Sequence, residues 1–166
     1  MKTEEQDMKI EEKKVLVVGT GISGIAAAKL LLEKKIDTVL FDANKELDIE
    51  KFHEKAPELK DVPMILGELT EEQMHEFGVA VLSPGVPTDL PMVERLRAQN
   101  VAIWGEIELA YYFGKGRLIA ITGTNGKTTT TSLVGEIFAD YTKNSFTVGN
   151  IGIPYTEVAL EMNEAS

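Results

Sequence analysis

The chain has 166 residues, with 17 Lys and Arg against 27 Asp and Glu, so its formal net charge is −10. This acidity argues against a general nucleic-acid binder, which needs a basic surface to neutralise phosphates, although a local loop can still bind one small phosphorylated ligand. The chain has no cysteine, which excludes disulfides, thiolate catalysis and cysteine-ligated zinc.

The N-terminal residues 1–12 are predicted to be a charged extension, because they are too polar for a signal peptide. No apolar run in the sequence approaches the roughly 18 to 20 residues that a membrane helix needs. The simplest interpretation is a soluble, cytoplasmic protein that binds neither nucleic acid nor a membrane.

From residue 13 to residue 112, short apolar runs alternate with longer amphipathic stretches. The apolar runs predict strands at 15–18, 38–42, 62–66, 79–82 and 101–103. The amphipathic stretches predict helices at 22–33, 46–55, 70–77, 91–99 and 105–113. This α/β alternation predicts a Rossmann-like, doubly wound parallel sheet, which binds ligands at the carboxyl ends of its strands.

A second strand–helix pattern follows residues 113–116, which contain two glycines and are predicted to be a linker. It predicts a strand at 118–122, a loop at 123–128, a helix at 129–140, a strand at 146–148 and a helix at 155–162. These elements are too few for a stable α/β domain, so residues 117–166 are interpreted as the truncated start of a second domain. A half-built sheet has an exposed edge, which favours self-association of the chain.

The first motif is the G-x-G-x-x-G sequence at residues 19–24, between the first predicted strand and helix. Its glycines permit a tight turn, close approach of a phosphate and packing of the helix, whose N-terminus then faces the anion. Asp42 comes 18 residues after Gly24, at a strand end where dinucleotide folds place an acid that binds a ribose hydroxyl. The motif predicts nucleotide binding, with a purely structural glycine turn as the alternative.

The second motif ends in Gly126-Lys127-Thr128, which matches the end of a P-loop. The backbone N–H groups of such a loop surround phosphates, Lys127 would neutralise the β and γ oxygens, and the Thr128 hydroxyl would ligate Mg²⁺. Residue 121 is Ile where the standard P-loop has glycine, and the first loop glycine is Gly123 instead. A polar helix-capping turn is the alternative to a phosphate site.

Two weaker motifs follow strand ends: Ser83-Pro84-Gly85, and residues 149–152 with Asn150. Both sequences are also ordinary turns. The two histidines, His53 and His75, lie in polar stretches and are interpreted as surface residues. No serine–histidine–aspartate triad and no cluster of metal-binding carboxylates stands out in the sequence.

Taken together, these segments resemble the Mur ligase superfamily over about residues 13–166. Residues 123–128 are similar to its ATP loop, and the preceding dinucleotide-like domain is most similar to the branch that adds D-glutamate. The resemblance implies the N-terminal portion of an ATP-dependent amide ligase of peptidoglycan synthesis, with Mg²⁺ as its metal. That ligase joins D-glutamate to UDP-N-acetylmuramoyl-L-alanine through an acyl phosphate, and this portion alone is expected to be inactive.

The resemblance also implies two sets of site residues. The UDP-sugar site would contain Gly21, Ile22, Ser23, Asp42, Ala43, Ser83, Gly85 and Asn150. The ATP site would contain Gly123, Thr124, Asn125, Gly126, Lys127, Thr128 and Thr129, with Lys127 and Thr128 as the catalytic residues. Within the first set, Asp42 and Ala43 would bind the uracil, and only a backbone contact is expected from Ala43.

Three other functions are weighed against this one. An NAD(P)-binding oxidoreductase domain would explain the first motif and Asp42, but not Lys127 and Thr128. A P-loop kinase or ATPase would leave residues 13–112 without a function. A noncatalytic UDP-sugar-binding module stays open, because UDP binding alone would not distinguish it from part of a ligase.

Overall fold

The computed structural model describes residues 9–142, 144–149 and 153–166. It divides into two compact units between Glu106 and Ile107. The strands are β1 (Val15–Val18), β2 (Thr38–Asp42), β3 (Met64–Leu66), β4 (Val79–Leu82) and β5 (Ala102–Gly105). The helices are α1 (Ile22–Glu33), α2 (Ile49–Lys55), α3 (Glu71–Met74), α4 (Pro91–Ala98), α5 (Glu106–Phe113), α6 (Lys127–Tyr141) and α7 (Tyr155–Val158). The limits predicted for the domains and the linker stay predictions.

The first unit contains a five-stranded sheet in the order β3-β2-β1-β4-β5. Every neighbouring pair is parallel; Val15 of β1, for example, pairs with Thr38 of β2 on one side and Val79 of β4 on the other. The chain runs outward from β1 to β3 and returns to the other side of β1 as β4. The strand order therefore reverses between β1 and β4, the position where open α/β sheets bind ligands.

Both faces of the sheet are covered, which is why its central strands are continuous apolar runs. All four residues of β1 and all four of β4 are buried. On one face, Leu16 and Leu82 belong to an apolar cluster with Met74 of α3 and Leu96 of α4. Helix α1 contacts β1 and β2, and its alanines and leucines are among the buried residues. The predicted α/β, doubly wound parallel fold is confirmed.

Local side-chain chemistry sets several element ends that differ from the predicted ones. Helix α2 begins at Ile49 rather than at residue 46, because the Asp48 carboxylate accepts a hydrogen bond from Lys51 N at 3.0 Å. Strand β3 begins only after Pro63, whose ring nitrogen has no hydrogen to donate. Helix α3 begins after Thr70, which forms a capping box with Gln73, and it ends at Met74 rather than at residue 77.

The second unit departs further from the prediction. No strand forms at residues 118–122, and residues 146–148 contribute a single parallel bridge, between Val148 and Ile153. A parallel strand is stabilised by hydrogen bonds to a neighbouring strand, and the described part of this unit supplies no such neighbour for residues 118–122. Helix α6 forms over 15 residues, whereas α7 has only four of the eight residues predicted for the last helix.

The close packing of Gly24 against the Gly19 carbonyl predicts that Gly24 and Gly21 respond differently to substitution by alanine. A Cβ atom at Gly24 would lie 1.9 Å from the Gly19 carbonyl oxygen, whereas nothing lies within 4 Å of one at Gly21. We expect Gly24→Ala to lower the free energy of unfolding by about 3 kcal/mol, because the α1 backbone must move away from the turn. The matched control, Gly21→Ala, should cost less than about 1 kcal/mol. Urea unfolding measures both, and equal losses would contradict the packing described.

Candidate functional site

Three strand ends meet at one edge of the sheet in the first unit. Past the end of β1, Gly19 N donates a hydrogen bond to Phe41 O of β2 at 2.7 Å. On the other side, Ser83 N donates to Val18 O at 3.0 Å, which binds the end of β4 to the end of β1. The glycine-rich turn thus lies at the carboxyl edge of the sheet, where the strand order reverses.

The three glycines of this turn have different environments. Gly19 has φ +100°, in the region that favours glycine, and a Cβ there would lie 2.8 Å from Ser83 Oγ. Gly24 lies directly against the Gly19 carbonyl, as described above. Gly21 precedes α1 without a side-chain cap, and the space around it is open. Two glycines are therefore required by contacts within the protein, and the third leaves the helix N-terminus accessible to an anion.

Asp42, at the end of β2, is hydrogen-bonded to the glycine-rich turn. Its Oδ2 accepts from Thr20 N at 3.1 Å and also from Thr20 Oγ1. Its Oδ1 accepts from Asn44 N at 3.0 Å. No role was predicted for Thr20, although a hydroxyl between the first two glycines, with an acid at the next strand end, was the available signal.

The other predicted UDP-sugar residues differ in exposure. Ile22 is 78% exposed at the start of α1, Ser23 beside it is half-buried, and Ala43 and Gly85 are exposed. Ser83 differs from them, because its Oγ is buried and has no hydrogen-bond partner among the described atoms. That hydroxyl packs against Gly19 and Gly24 rather than facing solvent. Asn150 lies outside the described residues.

In the second unit, the glycine–lysine–threonine loop leads directly into α6. Gly123 has φ +150° and Gly126 has φ +78°, and Gly126 precedes the helix without a side-chain cap. The Lys127 ammonium donates hydrogen bonds to the carbonyl oxygens of Gly123 and, at 3.4 Å, of Thr124. Residues 122–130 are all exposed. Carbonyl oxygens of the loop therefore bind the ammonium of its own lysine, at the N-terminus of a 15-residue helix.

The groups in this loop fit a nucleotide phosphate with Mg²⁺. They comprise a cationic amine at Lys127, a hydroxyl at Thr128, and the N–H groups at the start of α6 that no side chain caps. Across the described ranges, no three His, Asp or Glu side chains come together as a metal site. Mg²⁺ commonly takes only one or two protein ligands and completes its shell with phosphate oxygens and water, so Thr128 suits that kind of site.

Two Mur ligase family models match successive parts of the chain. The model described as "Mur ligase MurD-like, N-terminal domain" matches residues 13–105, more than half of the chain. The chain belongs to the MurD-like Mur ligases. The model described as "Mur ligase middle domain" matches residues 121–165, so the Lys127 loop lies within the second matched region.

Named MurD-like relatives match most of the chain. The UDP-N-acetylmuramoylalanine–D-glutamate ligase of Lachnoclostridium phytofermentans is 54% identical over 146 residues, which are 88% of this chain and 32% of that protein. The ligase of the same name from Lachnospira eligens is 48% identical over 159 residues, 96% of this chain and 35% of that protein. The chain thus spans about a third of the length of these curated relatives.

A solved structure also overlaps with part of the chain. The pseudomurein peptide ligase type C from Methanothermus fervidus gives a TM-score of 0.49 at 22% identity, over 78% of this chain and 26% of that one. The family assignment depends on the sequence matches and not on this overlap.

The unpartnered Ser83 hydroxyl predicts an unusual response to substitution. Because burial of this Oγ is not offset by a hydrogen bond, Ser83→Ala should keep the free energy of unfolding within about 0.5 kcal/mol of wild type or raise it. Thr70→Ala is the control, since it removes a hydroxyl that accepts from Gln73 N at 3.2 Å, and it should cost about 1 kcal/mol. If Ser83→Ala costs as much as Thr70→Ala in urea unfolding, the Ser83 hydroxyl makes a stabilising hydrogen bond.

Proposed function

We propose that this chain belongs to a ligase that joins D-glutamate to UDP-N-acetylmuramoyl-L-alanine in peptidoglycan synthesis, using ATP and Mg²⁺. The observation that carries the proposal is the order of the two family matches, a MurD-like N-terminal domain followed by a Mur ligase middle domain. The names of the relatives at 54% and 48% identity support the amino acid and the acceptor. The NAD(P) oxidoreductase alternative is not favoured, since it leaves the second match without a function.

In this proposal the first unit binds the uridine diphosphate of the acceptor. The open N-terminus of α1, with Gly21, Ile22 and Ser23, lies at the carboxyl edge of the sheet and favours a diphosphate. Asp42, fixed at the same edge, would accept a hydrogen bond from the uracil, with Ala43 contributing its backbone. Gly85 follows β4 at this edge, and its exposed backbone would approach the diphosphate.

The second unit would bind ATP through residues 123–129. Bound ATP with Mg²⁺ would supply the phosphoryl group that activates the acceptor carboxylate, and the reaction requires its charge to be neutralised. Lys127 lies four residues after Gly123 and would exchange its present carbonyl partners for phosphate oxygens. Thr128 would give its hydroxyl to the metal, and the N–H groups of Gly126 to Thr129 would surround the phosphates.

We also propose a cytoplasmic location, where ATP and nucleotide-linked sugars are found. In the part of the chain that the structure describes, no helix has both the length and the apolar character needed to cross a membrane. This chain spans only about a third of the length of the curated relatives. We therefore propose that residues 1–166 alone form no ligation product.

The nucleotide site predicts selective binding of UDP. The chain should bind UDP and not NAD in isothermal titration calorimetry, and Asp42→Ala should weaken UDP binding about tenfold, because a hydrogen bond to a charged group is lost. The control is Asp61→Ala, an exposed acid of the first unit, which should leave the affinity unchanged. Binding of NAD instead of UDP would contradict the proposal and favour an NAD(P)-binding oxidoreductase domain.

Ligation can be tested in a chimera in which residues 13–165 replace the matched part of the Lachnoclostridium phytofermentans ligase. We expect ATP-dependent joining of D-glutamate to UDP-N-acetylmuramoyl-L-alanine, measured as product and phosphate release. In the chimera, Lys127→Gln should lower kcat about 100-fold, because an electrostatic contact to the transferred phosphoryl group is lost. Lys115→Gln is the matched control. A folded chimera that binds UDP but forms no product would overturn the proposed activity.

A further inference from the structure

We propose that Thr20 determines ligand specificity at the first-unit site by occupying one oxygen of the Asp42 carboxylate, so that Asp42 accepts one hydrogen bond from a ligand. The proposal rests on the uridine diphosphate site proposed above and extends it to a residue that neither the motif nor the resemblance singled out. Thr20 is the residue between the first two glycines of the turn.

The hydrogen bonds already made by Asp42 leave it little acceptor capacity. An ionised carboxylate offers about four lone-pair positions, two on each oxygen. Both positions on Oδ2 are used, one by Thr20 N at 3.1 Å and the other by Thr20 Oγ1. One position on Oδ1 is used by Asn44 N at 3.0 Å. In the described part of the chain, a single position on Oδ1 therefore remains for a ligand.

These contacts also fix the orientation of the carboxylate. Its two oxygens are bound from different segments, Oδ2 from the glycine-rich turn after β1 and Oδ1 from the loop after β2. The carboxylate is half-buried, and rotation about its terminal bond would break hydrogen bonds on both sides. Without the Thr20 hydroxyl, Oδ2 would keep only the backbone N–H and regain one open position.

One fixed acceptor position selects between classes of ligand group. The acid at this strand end in dinucleotide folds binds a ribose through its hydroxyls, and a vicinal diol placed at Asp42 would present two O–H donors to one open position. A uracil ring presents a single donor, N3–H, between two carbonyl oxygens. The Thr20–Asp42 arrangement therefore favours uracil over a ribose diol at the same place.

The test compares UDP with its N3-methyl derivative, because methylation removes the single donor and keeps the rest of the ligand. In wild type we expect N3-methylation to weaken binding about tenfold in calorimetry. Thr20→Val keeps the side-chain shape without the hydroxyl, and the same methylation should then cost about threefold or less. Thr20→Ser restores a hydroxyl and should restore the wild-type ratio.

Two further measurements keep the test independent of folding. Thr20→Ala keeps the backbone N–H bond to Asp42 and replaces Thr20→Val if that variant does not fold. It should show the same lowered ratio between the dissociation constants of N3-methyl-UDP and UDP. ADP-ribose serves as the diol probe, and the preference for UDP over ADP-ribose should narrow in Thr20→Val or Thr20→Ala and persist in Thr20→Ser. A general destabilisation of the site would weaken UDP and N3-methyl-UDP equally and leave their ratio unchanged.

The outcomes separate this proposal from the function on which it rests. If wild type binds UDP and the methylation ratio is the same in all variants, Thr20 does not determine specificity, while the uridine site stands. If wild type binds no UDP, both the uridine site and the role of Thr20 are overturned. A ratio that falls without the hydroxyl and returns with serine supports the proposal.

Discussion

The contact between Gly24 of α1 and the Gly19 carbonyl oxygen is the constraint on which the first-unit site depends. A Cβ atom at Gly24 would lie 1.9 Å from that oxygen, so the helix can start this close to the end of β1 only with glycine there. A Cβ atom at Gly19 would lie 2.8 Å from Ser83 Oγ after β4. The ends of β1 and β4 and the start of α1 are thereby held at the place where the strand order reverses.

Hydrogen bonds beyond the ends of the strands position the glycine-rich turn and the Asp42 side chain at this edge. Gly19 N continues the pairing of β1 with β2 by donating to Phe41 O, and just beyond it Thr20 N donates to the Asp42 side chain. The unpartnered hydroxyl of Ser83 lies on the other side of the turn, where packing rather than hydrogen bonding decides its position.

The second unit presents the cationic and N–H groups of the Lys127 loop differently. Lys127 is held by carbonyl oxygens of its own loop, so the ammonium is kept close to the N–H groups that would share an anion with it. None of the residues of α6 is buried within the described chain. Local sequence therefore determines the loop and the helix, while residues 118–122, which depend on a partner strand, form no strand.

The sequence by itself determined which segments form the strands and helices of the first unit, because the periodicity of apolar residues and the chemistry of turns and caps are local. The apolar runs at β1, β2 and β4 and the Thr70 cap are examples. Only the tertiary structure decided that Asp42 bonds to Thr20 and that Ser83 faces inward, since these contacts join residues 22 or more positions apart. Strand order and side-chain direction at the sheet edge create them, and neither is contained in a local pattern.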